Sequence, residues 1–145
     1  MKIAIGSDHR GIKEEKIIAA TLMTMGHEVK DFGWEDSHTP CDYPDIAAPV
    51  ARAVAKGEFN LGILICGTGN GMAMAANKIK GIRAALAYSE DSAKKAKEHN
   101  NANILCLGTM EFTVGQLLNF VKIWLSAEYE GGRHDERVKK IMRLE

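Results

Sequence analysis

Cys66 stands at a junction: the apolar run Leu61-Gly62-Ile63-Leu64-Ile65 ends on it, and the stretch Gly67-Thr68-Gly69-Asn70-Gly71 begins after it. Where a buried strand runs into a helix N-terminus, backbone N–H groups and the positive end of the helix dipole favour a thiolate. Cys66 is therefore a candidate base or nucleophile, against the plainer alternative that cysteine is a common small buried hydrophobe. The glycines of 67–71 set unhindered amides beside the thiol, as backbone requires to curl around a phosphate or an oxyanion; such turns also serve tight packing alone. Asp8 and His9 follow the first apolar run and fall at the same edge. A carboxylate there can fix an imidazole or a sugar hydroxyl, or simply cap a turn. His99 closes a helical stretch, where an imidazole complements the dipole. Arg133 and Arg137 share a helix face; basic residues at a helix start are unfavourable without an anion nearby, although a solvated face is the commoner explanation.

Spacing removes several other chemistries. A cysteine-dependent phosphatase loop would need an arginine where Met72 stands, and a phosphoacceptor domain would need an aspartate where Cys66 stands. A dinucleotide fold wants its glycines after the first strand and usually a separate substrate domain, for which no chain remains. HExxH, CxxC and clustered carboxylates are absent, and His27, His38 and His134 are scattered, so no catalytic metal is expected. Cys41, Cys66 and Cys106 are an odd number without paired spacing, which predicts free thiols in a reducing compartment.

The elements that position these residues follow from periodicity. Apolar runs predict strands over 2–6, 28–32, 61–65, 83–87 and 103–107, and helical patterns lie between them. Ile18, Leu22 and Met25 mark the buried face of a first helix over 12–25, stopped by Gly26. Pro44 sits in the first turn of a second helix, with Ile46, Val50 and Val54 inward. The run 61–65 is apolar on both faces, as a central parallel strand must be. A helix over 72–78 follows the glycines, and another follows Ser89. Val114, Leu117, Leu118, Val121 and Leu125 mark a long amphipathic helix, and a last basic one starts near Arg133. The pattern predicts a single-domain three-layer α/β/α sandwich over 1–145, with a five-stranded parallel Rossmann-like sheet and a C-terminal helix. Loops after the strand ends form the crevice, so residues 7–11 and 66–71 should meet there. Lys plus Arg equals Asp plus Glu at 19 each, leaving no net positive field to hold nucleic acid or an anionic membrane. No signal-peptide core and no apolar run of about 18 residues is visible, so a cytoplasmic location is expected.

The combination of Ile5-Gly6-Ser7-Asp8-His9, Asp42-Tyr43-Pro44, Ile65-Cys66-Gly67-Thr68-Gly69, Ala76-Asn77-Lys78, Gly81-Ile82-Arg83, His99-Asn100 and Tyr129-Glu130-Gly131-Gly132-Arg133-His134 closely resembles ribose-5-phosphate isomerase type B, in matching order across nearly the whole chain. The resemblance implies interconversion of ribose 5-phosphate and ribulose 5-phosphate through a cis-enediolate, without a cofactor. Cys66 is then the base and Thr68 assists it. His99 opens the sugar ring with Asp8 nearby, while the amides of Gly67, Gly69, Asn70 and Gly71, with Asn100, stabilise the enediolate oxygens. His9 meets the phosphate together with Arg133 and Arg137 from a partner subunit, and Tyr43 lines the sugar pocket. The implied assembly is a homodimer or a dimer of dimers with the site at the subunit interface. Many members carry an arginine after the fifth strand that helps hold phosphate, where this chain has Met110. Asn70 replaces a commonly apolar residue, and an arginine often found just before the Asp-Tyr-Pro motif is missing. These departures leave room for another aldose phosphate: allose 6-phosphate, galactose 6-phosphate or a tetrose phosphate. A non-catalytic nucleotide-binding module is the reading from a different class.

Overall fold

The computed structural model describes all 145 residues. Five strands, β1 (Lys2–Ser7), β2 (Glu28–Asp31), β3 (Leu61–Cys66), β4 (Ala84–Leu86) and β5 (Ile104–Gly108), form one parallel sheet in the order β2-β1-β3-β5-β4. Six helices accompany them: α1 (Ile12–Thr24), α2 (Tyr43–Ala55), α3 (Asn70–Ala76), α4 (Glu90–Glu98), α5 (Val114–Ser126) and α6 (Arg133–Met142).

Parallel strands need crossover helices, and those helices cover both faces of the sheet. Residues of α1, α4 and α5 pack with Ile3, Ile5, Ile63, Ile65, Leu105 and Leu107 on one side. On the other, α2 and α3 pack with Ala4, Leu64, Cys66, Ile104 and Cys106. Side chains alternate along a strand, so Leu64 and Cys66 share the α2/α3 face while Ile63 and Ile65 face away. All six residues of β3 are buried, as its unbroken apolar run requires. Gly6 lets α2 lie close over β1, since a Cβ there would come within 2.8 Å of Ile46 Cγ2.

The element ends depart from the sequence pattern for visible reasons. Met25 is 46% exposed and follows α1 as its cap, so it does not belong to the buried face; that face is Ile12, Glu15, Ile18, Ala19 and Leu22. In α5 the fully packed stripe is Leu117, Phe120, Val121 and Trp124, with Val114, Leu118 and Leu125 only partly covered. Helix α3 stops at Ala76 because the Asn77 amide leaves the helix to pair with the backbone of Ala84, donating to its carbonyl at 2.9 Å and accepting from its N–H at 2.8 Å. The Arg83 N–H donates to Asn103 Oδ1 at 2.8 Å, and β4 starts one residue later. Helices α4 and α5 begin at capping boxes built on Ser89 with Ser92 and Thr113 with Gln116.

Candidate active site

Neighbouring strands β1 and β3 lead away to opposite sides of the sheet, and between such strands the C-terminal edge opens a crevice. Asp8 follows β1 and Cys66 closes β3, so both flank it. Cys66 is 4% exposed, and its Sγ accepts a hydrogen bond from the Gly69 N–H at 3.1 Å. Gly69 adopts φ +79°, and a Cβ there would sit 2.5 Å from Leu86 Cδ1 and 3.0 Å from the Leu107 carbonyl carbon. Only glycine meets both demands, and so the donor stays aimed at sulfur. Backbone N–H groups of Thr109 and Met110 donate to Cys66 and Gly67 carbonyls, both at 3.0 Å, tying the loop after β5 alongside. A cavity of about 280 Å³ opens here, lined among others by Gly67, Thr68, Asn70, Tyr88 and Met110. Thr68 is exposed, and its Oγ1 accepts from the Asn70 N–H at 3.3 Å. Cys106, on the same sheet face as Cys66 but wholly enclosed, has its thiol pushed up by burial, which keeps it protonated and unreactive.

Asp8 is 5% exposed; its N–H donates to the Ile65 carbonyl at 3.2 Å and its Oδ1 accepts the Arg10 N–H at 2.9 Å. The Cys41 N–H donates to His9 Nδ1 at 3.3 Å, which places the proton of the neutral ring on Nε2. Tyr43, at the start of α2, lies against the glycine-rich turn: a Cβ on Gly71 would fall 2.5 Å from Tyr43 Cζ. Beneath Asp8, the Ser7 hydroxyl donates to the buried Glu15 carboxyl. Glu15 is pushed up to about 8, chiefly by burial, with Asp31 adding to the rise and Ser7 opposing it. Its Oε1 receives no hydrogen bond, as fits an oxygen that carries a proton itself.

A second constellation gathers elsewhere. His99 stacks on His134 with ring centroids 4.3 Å apart and planes at 13°. Glu130 Oε2 lies 3.9 Å from His99 Nε2 and 3.4 Å from His134 Nε2, while Arg133 Nε reaches the latter nitrogen at 3.4 Å. These two imidazoles and the carboxylate offer ligand atoms within 4.8 Å of one another, the one grouping with metal-ligand chemistry. Asn100, Arg133 and Arg137 are exposed in the same region, and the Glu130 N–H donates to the Glu98 carbonyl at 3.0 Å.

Comparison with known proteins decides the family. The ribose/galactose isomerase family matches residues 3–141. Ribose-5-phosphate isomerase B of Escherichia coli is 46% identical over 145 residues, covering 99% of this chain and 96% of that protein. The chain belongs to the ribose/galactose isomerase family. Among solved structures, ribose-5-phosphate isomerase B of Clostridium thermocellum superposes on this isomerase with a TM-score of 0.97 at 48% identity, covering 99% of this chain and 97% of that one. The Mycoplasma genitalium enzyme, solved with bound ribulose-5-phosphate, gives 0.95 at 46% identity, covering 99% and 95%.

Within one chain of the isomerase, the residues expected to act together fall into two groups. Asp8, His9, Tyr43, Cys66, Thr68 and the amides of Gly67, Gly69, Asn70 and Gly71 share the C-terminal edge of the sheet. His99 and Asn100 end α4 just before β5 begins, at the N-terminal edge, and α6 carries Arg133 and Arg137 there. Gly62 pairs with Ile104 and Cys66 with Gly108, so the two edges are separated by about 13 Å of strand. Asp8 and His99 of one chain therefore lie at opposite edges of the sheet. Sequence reasoning placed Arg10 in the 7–11 segment at the crevice and Glu130 in a motif without giving either a role, and it passed over Glu15. Glu15 carried a signal: its spacing to Ile18, Ala19 and Leu22 puts it on the buried stripe.

Proposed function

We propose that this isomerase interconverts D-ribose 5-phosphate and D-ribulose 5-phosphate, with Cys66 as the base. The reading rests on one observation above all: a sulfur at the crevice between β1 and β3, held toward the Gly69 N–H at 3.1 Å. That donor stands where negative charge on sulfur would be stabilised. A thiolate takes the proton from C2 of the open-chain aldose, the electron pair moves toward the carbonyl to give a cis-enediolate, the proton returns at C1, and the hydroxyl proton of O2 passes to O1 as C2 becomes the carbonyl. C2 is oxidised and C1 reduced by the same electron pair, so no redox cofactor is required. The Gly67–Gly71 turn faces the enediolate oxygens with its amides not already engaged, while the Gly69 N–H holds the sulfur and the Asn70 N–H holds Thr68, which assists the base; Tyr43 lines the sugar pocket. Fixed donors of this kind contribute about 10² to 10³ each in other enzymes, enough to hold enediolate charge without a metal.

Ring opening and phosphate binding draw on the other edge. His99, held between His134 and Glu130, serves as acid and base toward the furanose oxygen, Asn100 adds a donor to the enediolate, and Arg133 and Arg137 join His9 on the phosphate. Because those residues lie at the far edge of their own sheet, a complete site requires a second copy whose N-terminal edge meets the C-terminal edge of the first. The proposed assembly is a homodimer or a dimer of dimers, in the cytoplasm. Asp8 then meets the partner's ring-opening imidazole across the interface.

Cys66→Ala tests the base. We expect a loss of about 10³-fold or more in turnover, with the same loss in exchange of the C2 proton in deuterated water and an unchanged melting temperature. Cys66→Ser should be severely slowed too, since a hydroxyl is far harder to deprotonate. Near-wild-type exchange by folded Cys66→Ala removes Cys66 from the mechanism.

A further inference from the structure

Arg10 is the cation that neither the base nor the ring-opening cluster uses, and its surroundings are unusual. It sits on the turn between His9 and α1, its backbone held by Asp8 Oδ1 on the N–H side and by the Thr109 hydroxyl, which donates to the Arg10 carbonyl at 3.2 Å. Its stem crosses directly above Gly67: a Cβ on Gly67 would lie 3.1 Å from Arg10 Cδ and 3.2 Å from Met110 Sδ. The guanidinium ends against a thioether, with Nη1 3.9 Å from Met110 Sδ. Arg10 belongs to none of the ion pairs of the chain. An exposed guanidinium with no carboxylate partner, next to the glycine that follows Cys66, has a fork suited to phosphate oxygens.

We infer that Arg10 binds the phosphate of the sugar substrate, at the position over Gly67 where Met110 supplies no charge. The inference rests on the sugar-phosphate reading of the same site. Arg10 from the β1 turn and Met110 from the loop after β5 meet over Gly67, and of the two only Arg10 carries a charge there. Neighbouring His9 then shares the phosphate with it, and the partner's two α6 arginines approach from the opposite side.

The test uses the intact protein and the variants Arg10→Gln, which keeps the stem over Gly67, Arg10→Lys, and Arg10→Gln combined with Met110→Arg. For Arg10→Gln we expect KM for ribose 5-phosphate and the competitive inhibition constant of inorganic phosphate to rise by about tenfold or more, the weight of a charge-assisted hydrogen bond. Turnover number and melting temperature should stay close to wild type. Arg10→Lys should recover part of the loss, because a point charge replaces a fork. The double variant should recover most of it, an outcome that a purely structural role for Arg10 does not produce. Unchanged KM and phosphate inhibition in Arg10→Gln overturn the inference, as does a loss confined to turnover, which would move the guanidinium to the enediolate. Binding of inorganic phosphate followed by phosphorus NMR keeps the two readings apart. If wild type fails to isomerise ribose 5-phosphate yet loses phosphate binding on Arg10→Gln, the function is wrong and Arg10 still holds phosphate. If wild type turns over and its phosphate binding ignores the substitution, Arg10 alone is misassigned.

Discussion

Glu15→Gln isolates a single buried proton. Glu15 lies on the inner face of α1, 1% exposed, with Ser7 donating to one oxygen and Asp31 next to it; a Cβ on Gly33 would strike the carboxyl. In the unfolded chain its carboxyl loses its proton near 4.5, and in the folded protein near 8. Between those values the folded state holds one proton more than the unfolded state, so raising the pH favours unfolding. The protonated carboxyl's stabilisation is fully present below pH 4.5 and is lost as the pH rises through about 8. At about 1.4 kcal/mol per pH unit the full interval corresponds to about 5 kcal/mol, of which about 3 to 4 kcal/mol falls between pH 5 and pH 8. Glutamine has no proton to lose, accepts from Ser7 with its carbonyl, and presents its amide to Asp31. Urea unfolding of wild type and Glu15→Gln at fixed protomer concentration, at pH 5, 7 and 8.5, subtracts every other titrating group. The expected difference is near zero at pH 5 and about 4 kcal/mol in favour of glutamine at pH 8.5, or about 13 °C in melting temperature for a chain of this size. Parallel stability curves across that range would refute a proton held at Glu15, and with it the explanation for its unbonded oxygen.

Two further outcomes bear on the site. Mixing Cys66→Ala with His99→Ala subunits after denaturation and refolding should restore about a quarter of wild-type activity, because half the dimers are mixed and each mixed dimer has one intact composite site; no recovery above either parent would mean that each chain carries a complete site. Gly69→Ala forces a non-glycine residue to φ +79° and drives its Cβ into Leu86 and the Leu107 backbone. We expect about 3 kcal/mol of lost stability in urea unfolding and a larger proportional loss of turnover, since the Gly69 N–H leaves Cys66 Sγ; a change below about 1 kcal/mol would show that the turn has another low-energy shape.

What the sequence discloses is what neighbours along the chain decide. The burial of β3 on both faces is written in six consecutive apolar residues, and the turn that carries Cys66 is written in three glycines within the next five positions. Asp8 and His9 are legible as crevice residues because any residue just past a parallel strand falls at the crevice edge. Strand order is not written this way: β5 inserts between β3 and β4, and nothing within β4 distinguishes an edge strand from an inner one except its short length. His99 shows the limit most clearly. A histidine at a helix end reads as a dipole complement, and only the return of the chain at Glu130 and His134 gives it a stacking ring and a carboxylate. Arg10 and Met110 are separated by 100 positions, and each alone is an ordinary exposed residue of a loop. Their contact carries information that neither position has: it sets an unpaired guanidinium directly above the glycine that follows Cys66.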